Sequence, residues 1–270
     1  MLLEIEHLTS YRYSEKIFLE PQHLYFHPQY RSHLKLIKHE LQVLPNPAGS
    51  GVRIDVENNT YTQCWFNETT DKLEISLKML VETSVFNQFN FLLEEQPKTD
   101  YQEALGLYLT QTEVLNQEVQ DWLNNIASAD PNNFISSLCL AINNKWSHTT
   151  SDESELLDLN TCFNQDSGSC RDLSWMMIQM LRSKNIPARY VSGYSHNPEL
   201  VGHELHAWVE AWLPGAGWIG LDPSSGLFIT EFYIPMASSY HPVNTLPIQG
   251  SFRGTAKAKL DTMVKIAIKQ

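Results

Sequence analysis

The hydrophobic period of this chain changes twice along its length, and that limits the folds open to it. Through about residue 85 the apolar residues alternate or cluster in short runs: Tyr11–Tyr13, Gln22–His27, Leu34–Ile37, Glu40–Leu44, Gly51–Val56, Thr60–Phe66 and Lys72–Val81. Turn-forming residues separate them, at Pro45-Asn46-Pro47-Ala48-Gly49, Asn58-Asn59 and Asn67-Glu68. Short strands broken this way read as an antiparallel β-sandwich of about 90 residues. Beyond Gln96-Pro97 the period becomes helical, over Asn116–Asn124, Asn133–Trp146, Glu153–Leu159 and from Cys170 to about Lys184, where Ile186-Pro187 prevents continuation. Strand patterns then return at Ala188–Tyr194, His203–Trp212, Trp218–Asp222, Leu227–Tyr233 and Lys257–Ala267. The spacing predicts an α+β chain: a β-rich domain over residues 1–95, then a core over 96–270 in which a helix packs on an antiparallel sheet, with the last strand free to pack back on the first domain.

Composition removes several function classes. The chain has 270 residues, 42% of them hydrophobic, and a net charge of −12. An acidic surface repels phosphate backbones, which argues against nucleic acid as a partner. No run approaches the ~20 apolar residues of a membrane span. The first residues, Met1 to His7, carry acid early and no long apolar stretch, so the expected address is cytoplasmic. Nothing in the residues sets the oligomeric state. Four cysteines without a CxxC pair are not a disulfide framework. Cys64, in a strand pattern, and Cys139, in an apolar helix pattern, read as small buried hydrophobes.

Cys170 is different. Gly168-Ser169-Cys170-Arg171-Asp172-Leu173 runs into Ser174-Trp175-Met176-Met177-Ile178-Gln179-Met180-Leu181, with apolar residues at the spacing of one buried helix face. Ser169 suits the N-cap and Asp172 suits the closing position of a capping box. Cys170 then falls in the first turn, where free N–H groups and the helix dipole favour a thiolate. Such a thiolate attacks a carbonyl carbon if a histidine lies within reach. Taken alone, Cys170 reads somewhat more readily as a buried structural thiol than as a nucleophile.

On a strand, His206, Trp208 and Glu210 share one face. The Pro214–Gly217 turn makes the next strand an antiparallel neighbour ending at Asp222, and Pro223-Ser224-Ser225-Gly226 holds that end. Asp222 can then set the tautomer of His206, although each residue also has a plain reading, His206 as a satisfied partner and Asp222 as a turn cap. Together they predict a Cys170–His206–Asp222 triad. Its oxyanion would be received by the Cys170 backbone N–H, with Ser169 and the Trp146 indole as further cleft candidates. His196, His203 and His241 are weaker rivals for the base, His203 because it points to the opposite face of the strand. Zinc on Cys162, Cys170, His203 and His206 fails because the spacings give no close ligand pair, so neither metal nor cofactor is predicted.

These strings resemble the bacterial transglutaminase-like superfamily, which has a papain-like core. The resemblance rests on Gly168–Asp172, Leu181–Tyr194, His206–Glu210 and Gly217–Pro223, in the family's order, and covers about residues 115–235. It implies that Cys170, His206 and Asp222 are the catalytic residues and that the substrate is a peptide or protein. The first 90 residues resemble the β-rich N-terminal domain found with that core. There are two departures. Leu173-Ser174-Trp175 stands where relatives often carry Phe-Ala-His, and Asp55-Val56-Glu57-Asn58-Asn59 stands for Asp-x-x-Gly-Asn, where Asn58 can still take the left-handed turn. The resulting expectation is a cysteine protease or amidase working through a thioester. Protein-glutamine amine transfer by the same triad and a non-catalytic scaffold are the alternatives.

Overall fold

The computed structural model describes residues 1–92, 103–126, 130–149, 156–196 and 205–269. The N-terminal part supplies β1 (Leu2–Leu19), β2 (Gln22–Leu24), β3 (Leu34–Leu44), β4 (Gly49–Ile54), β5 (Thr60–Trp65) and β6 (Thr69–Thr83). Next come α1 (Gly106–Leu109), α2 (Gln117–Asn124), α3 (Pro131–Lys145), β7 (Ser147–His148), α4 (Leu159–Phe163), β8 (Ser167–Gly168) and α5 (Cys170–Ser183). The remaining strands are β9 (Ala188–Ser195), β10 (Leu205–Leu213), β11 (Gly217–Asp222), β12 (Leu227–Phe228), β13 (Tyr233–Ser239), β14 (Ile248–Gln249), β15 (Phe252–Arg253) and β16 (Ala258–Lys269). The fold is α+β, with antiparallel sheets first and then helices packed on a further antiparallel sheet.

Two N-terminal sheets form around one apolar layer. In the first, β1 pairs with β6, which pairs with β3. β15 and β16 return from the far end of the chain to pair with β1. The second runs β14-β2-β5-β4. β1 is longer than the Tyr11–Tyr13 run predicts. Its inward positions are Leu3, Ile5, His7 and Thr9, all buried, so two polar residues interrupt the apolar alternation. Their polar atoms are satisfied inside: His7 Nδ1 hydrogen-bonds Tyr194 Oη at 2.7 Å and His7 Nε2 hydrogen-bonds Thr9 Oγ1 at 2.8 Å. Burial pushes the His7 imidazole down to about 4, so it stays neutral.

The third sheet runs β12-β11-β10-β9-β13. The predicted Leu227–Tyr233 strand is in fact two elements. β12 ends at Phe228 and β13 begins at Tyr233, because the two pair with opposite sides of the sheet, β11 and β9. The predicted helix at Glu153–Leu159 instead starts at Leu159, where the Asp158 side chain caps Thr161 N at 3.0 Å; residues 153–155 lie outside the described residues.

α5 is buried on nearly every side from Asp172 to Arg182, more than one face requires. Its polar residues are matched from neighbouring chain. Gln179 Oε1 accepts from Thr112 N at 3.1 Å, and the Arg182 guanidinium donates to the carbonyls of Tyr108, Thr110, Ala188 and Tyr240.

The Asp55–Asn59 turn ties the first sheets to the third. Asn58 has φ 64°, the left-handed conformation that asparagine tolerates. Asp55 Oδ1 accepts from the backbone N–H of Glu57 and of Asn59. Asn59 is then free to act as a strand neighbour of β13: its Nδ2 donates to Ser238 O at 2.9 Å and its Oδ1 accepts from Ser238 N at 2.8 Å.

Candidate active site

Ser169 caps α5 with a complete capping box: its hydroxyl accepts from Asp172 N, and Asp172 Oδ2 accepts from Ser169 N at 3.0 Å. Asp172 Oδ1 also accepts from Leu157 N at 3.0 Å. Ser169 is thus buried with its polar atoms committed to the cap. Cys170 follows as the first helical residue and is only half-buried, unlike Cys64, Cys139 and Cys162, which are sealed in the core.

The histidine and the carboxylate meet through sheet register. β10 and β11 are antiparallel with Val209 opposite Leu221, across a turn in which Gly215 and Gly217 have positive φ. This brings Asp222 alongside Trp208, diagonal to His206 on the same face. His206 Nε2 donates to Asp222 Oδ2 at 2.7 Å, which leaves Nδ1 for the hydrogen bond that His206 makes with the Cys170 sulfur. On the other side of β10, His206 pairs with Gly193. A Cβ at Gly193 would lie 2.2 Å from the Ile234 carbonyl oxygen and 2.8 Å from the Trp208 ring, so only glycine lets β9, β10 and β13 close up here.

Asp222 is fully engaged. Oδ1 accepts from Ser224 N at 2.9 Å and from the Ser224 hydroxyl at 2.6 Å, while Oδ2 also accepts from the Tyr233 hydroxyl at 2.8 Å. Burial pushes this carboxyl up, but His206, Ser224 and Tyr233 together hold it down at about 2. Burial pushes His206 down, and the Asp222 carboxylate and the Cys170 sulfur reverse this, raising it to about 10. Burial also pushes the Cys170 thiol up; hydrogen bonds from His148 and His206, the His206 charge and the Ala207 backbone N–H outweigh it and bring the thiol to about 6. The other cysteines go the opposite way: burial raises Cys64 and Cys139, and lifts Cys162 to about 12.

Trp146 lies in the core, its ring 5.3 Å from those of Trp122 and Phe163, with Lys145 Nζ 4.7 Å from its centroid. Its Nε1 is buried without a hydrogen-bond partner among the described residues. His241 stacks edge-on against Trp175, and His203 lies outside the described residues. Two residues at the site escape the sequence reading. Tyr233 is reached only because β13 crosses to the far side of β9, and His148 is reached only through the short β7–β8 pairing. Among the described residues no group of three His, Cys, Asp or Glu side chains could hold a metal ion, and no helix is long and apolar enough to cross a membrane.

Residues 120–223 match the transglutaminase-like superfamily, and residues 3–82 match the bacterial transglutaminase-like N-terminal region. The chain belongs to the bacterial transglutaminase-like superfamily. Across its length this transglutaminase-like chain shares its fold with a proposed cysteine protease from Cytophaga hutchinsonii, at 19% identity over 99% of this chain and 90% of that one, with a TM-score of 0.76. A Mycobacterium leprae protein is 36% identical over 109 residues, 38% of each chain. A protein-glutamine gamma-glutamyltransferase of Pseudomonas aeruginosa is 41% identical over 70 residues, 23% of this chain and 10% of that protein. The match therefore spans well under half the length of these curated relatives. The cytoplasmic address is corrected here. The periplasmic domain of TgpA from Pseudomonas aeruginosa aligns with 81% of this chain and 90% of its own, at 18% identity and a TM-score of 0.41. A fold held by apolar burial carries no address, and none is assigned to this transglutaminase-like protein.

Proposed function

We propose that the protein is a thiol acyl-transfer enzyme acting on peptide or protein amides, with Cys170 as nucleophile, His206 as base and acid, and Asp222 orienting His206. One observation carries this reading: His206 Nε2 donates to the buried Asp222 carboxylate at 2.7 Å while the same ring hydrogen-bonds the Cys170 sulfur. The thiol is pulled to about 6 beside an imidazole raised to about 10, so near neutrality the pair is a thiolate next to an imidazolium. The thiolate sulfur bonds the amide carbon and the carbonyl electrons move to oxygen. The Cys170 backbone N–H, a first-turn donor with no intrahelical acceptor, receives that oxyanion, and Trp146 Nε1 is the candidate second donor. The C–N bond then breaks, the leaving nitrogen takes the His206 proton, and a thioester remains. Water gives its proton to His206 and attacks the thioester, the C–S bond breaks, and the thiolate returns. Ser169 serves through the cap that fixes the first turn of α5.

The preferred second nucleophile is water, which makes the enzyme a protease or amidase. The similarity to the Pseudomonas aeruginosa glutamyltransferase favours a second reading, in which a primary amine resolves the same thioester. One experiment addresses both. The protein and a Cys170→Ala variant are incubated with a peptide library, with and without a primary amine, and the products are read by mass spectrometry. Cleavage or deamidation without the amine supports hydrolysis, and amine incorporation supports transfer. Equal product from the two proteins overturns the proposal.

A further inference from the structure

Two imidazoles approach Cys170, and the reaction above uses one. His206 arrives from β10. His148 arrives by a separate route: β7 pairs in parallel with β8, placing Ser147 opposite Ser167 and His148 opposite Gly168, and the Thr149 N–H donates to Gly168 O at 3.0 Å. Gly168 directly precedes the Ser169 cap of α5, so this short ladder delivers the His148 ring to the sulfur, with which it hydrogen-bonds. The two-residue ladder is itself held down, since Ser147 N donates to Asp166 O at 3.0 Å. His206 has its other nitrogen committed to a buried carboxylate, whereas His148 stands in an exposed position.

We infer that His148 is a second catalytic imidazole, which donates a ring N–H to the Cys170 thiolate from the solvent side of the cleft and holds the sulfur as the anion that attacks. The inference rests on the acyl-transfer reading of Cys170. A thiolate accepts several hydrogen bonds at once, and donors to an anion are the strong ones. Among the described residues, the other groups that act on the sulfur have defined roles. On β10 these are the Ala207 backbone N–H and His206, backed by Asp222 of β11. From β9, Tyr190 is held neutral by burial and by the charge of Cys170. On α5 itself, Arg171 is half-buried and the Asp172 carboxylate is committed to Ser169 and Leu157. His148 is the exposed donor among them. It also explains how a half-buried sulfur keeps its charge while one flank is open to substrate. On that flank the desolvation that favours the neutral thiol is offset by a fixed ring N–H rather than by water.

The test needs no substrate. Iodoacetamide labelling of Cys170 is followed by mass spectrometry from pH 4 to pH 9 in the full chain and in H148F, H148A and H148Q. Loss of the donor in H148F and H148A is expected to raise the labelling midpoint by about one pH unit, so that Cys170 labels about tenfold more slowly below the midpoint. H148Q keeps an N–H of similar reach and is expected to restore most of the shift, which a purely structural role for the ring would not do. Thermal unfolding is expected to be the same in all four proteins, because the position is exposed. If the H148F and H148A profiles superimpose on that of the wild type, or if H148Q behaves like H148A, the role of His148 falls. Wild-type Cys170 labelling no faster near pH 6 than buried Cys64 would remove the acyl-transfer reading itself, a different and distinguishable failure.

Discussion

β10 carries two buried ionic clusters on one strand face, and they have opposite characters. At Glu210 both oxygens are held by guanidinium groups: Oε1 accepts from Arg31 Nη2 at 2.8 Å, and Oε2 from Arg189 Nε at 2.8 Å and Nη2 at 2.6 Å. Arg189 is in turn stacked 4.2 Å from the centre of the Trp218 ring, and Arg31 also donates to Gln29 Oε1 at 2.8 Å. Burial pushes Glu210 up, and the two arginines overcome it and hold the carboxyl at about 2. At His206 the carboxylate is just as well satisfied, but the chain of hydrogen bonds ends on a half-buried sulfur. The first cluster fastens the N-terminal β-rich part, through Arg31, to the third sheet. The second leaves one atom with electrons to donate. What separates a structural ion cluster from a reactive one is therefore where the network stops.

The comparison breaks most sharply at Cys170. Cys170→Ala is expected to abolish acyl transfer, a loss of about 10⁴-fold or more, while thermal unfolding shows little change. Substantial residual turnover would mean the network does not end on the reactive atom. Asp222→Asn keeps the shape of the site but loses the charge that holds the His206 tautomer. A fall in turnover of about 10³- to 10⁴-fold is expected, with the alkaline limb of the pH–rate profile moving down.

Glu210→Ala tests the closed cluster. It leaves two arginine charges without their partner and is expected to cost about 3–5 kcal/mol of stability, measured by denaturant titration, with activity retained in the folded fraction. Because the folded-state carboxyl sits below the unfolded value of about 4.3, this contribution is present above that pH. It is lost as pH falls through about 2. The variant should accordingly show a shallower loss of stability between about pH 4 and pH 2.

A finer test is the wild-type pH–rate profile. An acid limb near 6 is expected where the thiolate protonates, and an alkaline limb near 10 where the imidazolium loses its proton. A single limb near the ordinary thiol value would show that the pair is not coupled. The smallest effect is expected from Tyr233→Phe, which removes one of four donors to Asp222. It should lower turnover by about tenfold and shift the alkaline limb slightly, with kcat falling more than KM rises.

Much of this was legible from local pattern. The capping box at Ser169 and Asp172 is a contiguous signal, and α5 begins where it says. The Gly215–Gly217 turn made β10 and β11 neighbours, so the meeting of His206 and Asp222 followed from period and turn chemistry. β1 was less legible, because His7 and Thr9 occupy inward positions that pattern reading reserves for apolar residues; their partners, Tyr194 and Thr262, are far away in sequence. The pairing of Arg31 with Glu210 leaves no local signal, because the two lie 179 residues apart in the chain.

The amino-acid order by itself determined the α+β plan, the helix start at Cys170 and the strand pair carrying His206 and Asp222, because each depends on residues close in the chain. Only the tertiary structure decided the rest. The return of β16 along β1, the crossing of β13 that brings Tyr233 to Asp222, and the two-residue β7–β8 ladder that sets His148 beside the sulfur all join distant segments. Such contacts form only where folding removes enough apolar surface from water to offset the entropy of closing long loops, and no local spacing records that balance.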